Sequence, residues 1–260
     1  MKTAEFLSWA NKTWPESEAE DWDNPGLITG DLATEHSRVL LAVDITNDVL
    51  DEAIKNDCSL VVAHHPLLLG GVDSLREDLF KGQLLAKAIR NNLTLFAAHT
   101  NADIVSGGVS DSLAKKLGMT ETHAIDGNSV GHGRVGRVRK QSLKDLTQKI
   151  IEEIPSTARG VSFIGDLEMQ IESVALVAGS GMSFVDRVTA DVFITSDVKH
   201  HSALDFKEQV SLGGPKALID ISHFAAESVW LEGLSMQITD IGLEAIVSEI
   251  NTDPWDGVIR

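Results

Sequence analysis

The sequence predicts an α/β protein with a mainly parallel sheet and a second, smaller α/β layer. Three observations carry that expectation. The runs Leu60–Ala63 and Val192–Ile194 are short and wholly apolar, and Leu93–Ala98 is apolar but for Thr94, as in strands covered on both sides. Helix-period segments separate the first strands, which is the pattern of βαβ units. The chain has 260 residues, enough for one large core or two smaller ones, and it changes character at a Gly-rich, basic stretch from Gly127 to Arg139.

Taken in order, Thr3 to Thr13 is expected to be a helix with Phe6, Leu7, Trp9 and Ala10 on one face, stopped by Pro15. An acidic linker leads into a turn-rich segment, Trp22 to Leu27. Arg38–Ile45 is a strand, Asn47–Lys55 a helix and Leu60–Ala63 a strand ended by His64, His65 and Pro66. Asp78–Asn92 is a helix with Leu84, Leu85, Ala88 and Ile89 as its apolar positions, and Leu93–Ala98 is the next strand. Gly131 to Gly136 matches G-x-G-x-x-G, but a strand-like segment follows where a dinucleotide site needs a helix, so a solvated hairpin edge is expected. Helix Leu143–Ile154 and strands Gly160–Ile164 and Val174–Ala178 form the smaller layer. Gly179-Ser180-Gly181 admits two readings, a phosphate cradle or a tight strand-to-helix turn. Ala217–Ile221 is a strand, with Ser222 capping a helix that opens at His223.

Composition excludes several classes. Asp and Glu number 39 against 22 Lys and Arg, a formal charge of −17, which disfavours general nucleic-acid and anionic-membrane binding. Cys58 is the only cysteine, so neither a disulfide framework nor a thiolate metal cluster is available. The N-terminus lacks a signal-peptide core and no apolar run is long enough for a bilayer, so a cytoplasmic protein is expected.

Imidazoles and carboxylates gather at the ends of the predicted strands, where α/β proteins bind ligands. His64 and His65 follow one strand; His99 and Asp103 follow the next, and a right-handed crossover sets both ends on one sheet edge. Asp103 reads equally as a ligand or a cap, and His99 as a neighbour of the ligands. Lys199, His200 and His201 follow a third strand; Lys199 is a solvated lysine or a partner for an anion. His223 and Glu227 are four apart and share a helix face; the structural alternative makes Glu227 an exposed helical residue. His64, His65, His99, His201 and His223 are five of the nine histidines, and three imidazoles with two carboxylates suit two metals sharing a bridging carboxylate.

The ordered motifs Asp23–Leu27, Ala63–Pro66, His99–Asp103, Gly131–Gly136, Thr195–His201, His223–Glu227 and Asn251–Trp255 resemble the GTP cyclohydrolase I type 2 homologues, the Nif-three-like dinuclear metal-binding proteins. Two positions depart from the family pattern: Ser196 stands where many members have Gly, and His200 where many have Tyr. The resemblance implies two interlocked α/β domains, here residues 1–125 and 191–260 around an inserted 126–190, in the family's short form. It implies two divalent ions per subunit (zinc, manganese, iron or nickel) held by His64, His65, Asp103, His223 and Glu227, Glu227 bridging. His99, Lys199 and His201 would line a cavity inside a toroidal homohexamer, with Arg134, Arg137 and Arg139 making that cavity less acidic than the exterior. Three functions stay open: hydrolysis of a small polar, phosphorylated or purine-like substrate; ring opening of GTP; or non-enzymatic metal storage, delivery or a cage-like partner role.

Overall fold

Apolar runs become strands here, and the register between neighbours decides which residues leave the sheet together. The structure is a computed structural model describing residues 1–212 and 215–259. Its strands are β1 (Gly26–Thr29), β2 (Arg38–Ala42), β3 (Leu60–Ala63), β4 (Thr94–Ala97), β5 (Thr120–His123), β6 (Arg134–Ser142), β7 (Ser162–Ile164), β8 (Gln170–Leu176), β9 (Val192–Ser196), β10 (Ala217–Ile221) and β11 (Glu244–Val247). The helices are α1 (Thr3–Thr13), α2 (Asn47–Lys55), α3 (Phe80–Arg90), α4 (Thr100–Asp103), α5 (Val109–Lys116), α6 (Leu143–Glu153), α7 (His200–Gln209), α8 (His223–Ser228) and α9 (Trp230–Asp240). Among the described residues, no helix is long and apolar enough to cross a membrane.

The chain divides into two units, each made of two separate stretches: Met1–Ala102 with Leu231–Thr252, and Asp103–Trp230 with Asp253–Arg260. The fold is therefore α/β with two domains interlocked along the sequence. These limits differ from an insertion at 126–190, because β9 pairs in register with β8, and β10 with β9. Backbone pairing holds residues 191–230 in the second unit, whatever their composition.

In the first unit the strand order is β1-β4-β3-β2-β11, parallel except for β1. β3 is buried at every position, and so is β4. Leu40, Val61, Leu84 and Leu95 belong to the core between the sheet and its helices. Phe6 of α1 meets Phe96 edge to face, with ring centroids 5.2 Å apart. Segment Gly26–Thr29, expected within a turn-rich stretch, is the antiparallel edge strand on β4.

The second sheet has the order β5-β6-β8-β9-β10-β7, parallel only across β8, β9 and β10. Ala175, Phe193, Phe206 and Leu218 belong to its core. The Gly-rich stretch leads into β6, which lies between β5 and β8 and so is interior, not the solvated edge expected. A strand starts at Arg134 where a dinucleotide site would need a helix.

Arg134 departs from its expected place on a cavity wall. It is 2% exposed, donating to the carbonyls of Gly131 (2.8 Å), Gly133 (2.6 Å), Ile104 (3.3 Å) and Val105 (3.0 Å), with Nε on Asp111. Arg137 pairs with Glu172 at 3.3 Å and Arg139 is exposed. A planar fork of donors fits four carbonyls and a carboxylate as an ammonium cannot. Arg134→Met should cost about 2–4 kcal/mol, since it strands buried carbonyls and a partly buried carboxylate. Denaturant unfolding checks this; a loss within about 0.5 kcal/mol, the range of an ordinary surface change, would contradict the assigned role.

Candidate metal centre

In the first unit three neighbouring parallel strands end together. Ala42, Ala63 and Ala97 are in register across β2, β3 and β4. The ladder runs on past them, with His64 N–H on the Ala42 carbonyl (3.1 Å), His65 N–H on Val43 (2.9 Å) and Ala98 N–H on Ala63 (3.0 Å). Asp44, His64, His65 and His99 therefore leave the same edge. Nitrogens of His64, His65 and His99 lie within 4.8 Å of one another, and the three ring centroids are 4.9, 5.1 and 5.3 Å apart. His99, expected beside the ligands, stands as close to this group as His64 and His65 do.

Each of these rings is held by Nδ1. His64 Nδ1 meets the Ala98 carbonyl at 2.9 Å, His65 Nδ1 meets Asp44 Oδ1 at 2.8 Å, and His99 Nδ1 meets Asp23 Oδ1 at 2.7 Å. Carbonyls and carboxylates only accept, so Nδ1 carries the proton, and in the neutral ring Nε2 carries the lone pair. That is the tautomer a metal-binding histidine needs, with the outer acceptor fixing the ring's orientation. Asp44 also accepts from Thr252 Oγ1 at 2.5 Å.

Asp23 is a hub. Its second oxygen accepts from Thr100 N–H at 3.0 Å and Thr100 Oγ1 at 2.5 Å. Burial pushes this carboxyl up, but hydrogen bonds from His99 and Thr100 outweigh it and bring it down from 3.8 to about 2. Its side chain is wholly inaccessible.

The second unit repeats the device. β9 ends at Ser196, in register with Ile221 of β10, so Asp197 and Ser222 follow side by side. Asp197 sits in the left-handed region at φ 56°, a conformation Asp tolerates better than most residues. Its Oδ2 meets His223 Nδ1 at 2.6 Å. That hydrogen bond, with burial opposing it, holds the Asp197 carboxyl below its ordinary range, and Arg159 adds a smaller pull in the same direction. Ser222 caps α8 by accepting from Ala225 N–H at 3.2 Å, as its position predicts, and donates to Asp253 at 2.6 Å.

His223 and Glu227 meet as their spacing predicts, with Nε2 2.8 Å from Oε1. Glu227 is 3% exposed, which removes the exposed-glutamate alternative. Its carboxylate presses on Gly179: a Cβ there would lie 2.5 Å from Oε1, and φ is +87°. The Gly179–Gly181 loop is tied internally, Gly181 N–H to Thr195 Oγ1 at 2.7 Å and Thr195 Oγ1 to the Gly179 carbonyl at 3.0 Å. Those bonds support a tight turn over a phosphate cradle. Asp103 is half-buried at the end of α4. Lys199, His200 and His201 are exposed at the start of α7.

The parts that sequence reasoning left without a role are the supports: Asp44, Asp197, Thr252 and Asp253. One signal was available, because Asp44 and Asp197 each follow a buried strand closely, as the histidines do.

Fold and site together define an α/β protein with histidine–carboxylate clusters at parallel strand ends. A family profile described as Duf34/NIF3 (NGG1p interacting factor 3) matches residues 1–254. The chain is 34% identical to a "GTP cyclohydrolase 1 type 2 homolog" of Streptomyces coelicolor, covering 98% of this chain and 93% of that one. Identity to a Clostridium acetobutylicum protein of the same name is 32%, over 93% of each. The crystal structure of the Staphylococcus aureus hypothetical protein SA1388 superposes with a TM-score of 0.89 at 31% identity, over 99% of both chains. The chain belongs to the Duf34/NIF3 family.

Asp23→Asn should cost about 1–2 kcal/mol near neutral pH. The folded pKa lies below the unfolded one, so this stabilisation is present above about pH 4 and fades as pH falls towards about 2. Unfolding of both proteins across pH checks it; a penalty that stays constant down to about pH 3 would exclude the ionised carboxylate as its source.

Proposed function

We propose that the chain binds two divalent cations through His64, His65, Asp103, His223 and Glu227. On that basis it is a metal-dependent hydrolase of a small polar or nucleotide-like substrate. The observation that carries the reading is the pair His223 Nε2 and Glu227 Oε1, 2.8 Å apart, while Nδ1 is engaged by Asp197. Two electron-pair donors at that distance repel unless a proton or a metal cation lies with them. The chemistry of the donors fits a metal: imidazole with carboxylate suits zinc, manganese, iron or nickel. His64 and His65 contribute the same prepared tautomer, and Asp103 a further carboxylate.

When bound, a divalent ion supplies Lewis-acid chemistry, polarising a substrate oxygen and lowering the pKa of water. The chain's own residues do the rest. Asp44 and Asp197 keep a proton on Nδ1 and hold His65 and His223 in one orientation. Asp23 does the same for His99, whose Nε2 can accept a proton from a reacting group. Lys199 and His201 are assigned to substrate contact. The relatives' printed name makes GTP the first substrate to assay. The family resemblance also leads us to propose a homohexamer.

Elemental analysis of metal-reconstituted protein should give close to two ions per chain, with affinity falling as protons compete for Nε2 at low pH. Glu227→Gln should weaken metal binding at least about tenfold while the fold persists. One ion or none in the wild type, or undiminished binding in the variant, contradicts the assignment. Light scattering is expected to show a hexamer, and a monomer at ordinary salt would overturn that part. A nucleotide and phosphoester panel tests turnover; loaded protein that hydrolyses nothing on it speaks for a storage or delivery role.

A further inference from the structure

In the first unit one buried histidine that the proposed metal chemistry does not use fastens the N-terminal helix to the sheet. His36 lies just before β2 and is 3% exposed. Its backbone closes on Met1 in both directions: the Met1 ammonium donates to the His36 carbonyl at 2.9 Å, and His36 N–H donates to the Met1 carbonyl at 2.8 Å. Its ring stands between two hydroxyls, with Nε2 2.8 Å from Thr3 Oγ1 and Nδ1 2.8 Å from Ser59 Oγ. Thr3 opens α1 and Ser59 precedes β3, so the imidazole ties helix to sheet.

That tie suits a neutral ring. Thr3 Oγ1 also donates to the Thr34 carbonyl at 3.4 Å. The bonds then run in one direction, from Ser59 O–H to Nδ1, from Nε2–H to Thr3, and from Thr3 O–H to Thr34. A second ring proton, on Nδ1, would break the run at Ser59 and place a buried cation near the Met1 ammonium. His65, His99 and His223 each have an aspartate against Nδ1, and among the described residues His36 has none. The other charges on the surrounding elements are turned outward or matched. Lys2, Glu35 and Asp57 are exposed, Glu5 accepts from Lys2 N–H at 2.7 Å, and Arg38 pairs with Glu244 at 3.0 Å. Burial pushes the neighbouring Cys58 thiol up to about 11, so it stays neutral. Burial first, then the Met1 ammonium, hold His36 below its ordinary 6.5.

The helix so fastened supports the histidine cluster. Trp14, the residue that ends α1, accepts at its carbonyl from Asn101 Nδ2 at 2.8 Å, and Asn101 Oδ1 accepts from His99 N–H at 3.0 Å. Asn101 is fully buried, so α1 and the His99 backbone share one dry hydrogen-bonded link.

We infer that His36 is a proton-operated latch on α1, and that its release loosens the seat of His99. The sign follows from the two states. An opened segment takes up its proton at the ordinary 6.5 and the latched one only at lower pH, so opening is favoured as pH falls through that value and the latch is shut above it. The inference goes beyond the proposed function and requires no metal.

Amide hydrogen exchange of the full chain, followed by NMR from about pH 7.5 to about pH 5 and expressed as protection factors, tests it. Protection of α1 and of the His99 amide should fall together, by up to about tenfold per pH unit because one proton drives the opening. Amides of β8 and β9 should keep theirs. His36→Gln, which takes up no proton, should remove the pH dependence at both places. If that variant does not fold, the ring-proton titration of His36 in the wild type replaces it, and its midpoint should lie below 6.5. Constant α1 protection in the wild type, an equal fall in His36→Gln, an unmoved His99 amide, or a His36 midpoint at or above the ordinary value would overturn the inference.

Discussion

The structure depends on one repeated interaction, an acceptor at the end of one parallel strand fixing the imidazole at the end of the next. Asp44 after β2 holds His65 after β3, and Asp197 after β9 holds His223 after β10. In a parallel sheet, in-register neighbours leave the ladder side by side, so the donor and its support need no long loop to meet. The bond does two jobs: it sets the ring's orientation and it assigns the proton to Nδ1. Without it, either nitrogen would carry the proton and the ring would be free to turn.

The surrounding packing protects that arrangement. Strands β3, β4 and β9 are buried at every position, so a one-residue slip would force close-packed side chains on both faces to repack and is strongly disfavoured. The C-terminal motif is explained in the same terms. Thr252 donates to Asp44 in one unit and Asp253 accepts from Ser222 in the other, so adjacent residues steady a histidine's support and a helix cap. Gly179 belongs to this layer too, since any side chain there would displace the Glu227 carboxylate.

What could be foreseen from the sequence was local. Leu60–Ala63, Ala217–Ile221, Thr3–Thr13 and Asn47–Lys55 coincide with their elements because apolar period and caps act within a few residues. The 223–227 pair was legible because a helix fixes that spacing. The supports were harder, because which aspartate meets which histidine follows from strand order, and a single chain does not state its order. β1, β5 and β11 escaped notice as short strands, lying at sheet edges with weak patterns. Arg134 looked like a surface charge because Gly-rich sequence suggests solvent, yet the glycines bring carbonyls close enough to bury it.

The central claim is that these imidazoles are prepared as Nδ1–H tautomers before any metal arrives. Nitrogen-15 NMR of histidine side chains in metal-free protein above the imidazole titration tests it directly. Residues 64, 65, 99 and 223 should show a protonated Nδ1, with Nε2 unprotonated in 64, 65 and 99, and zinc should then perturb the Nε2 resonances of His64, His65 and His223. An unprotonated Nδ1 in any of the four, or averaging between the two tautomers, would contradict the account.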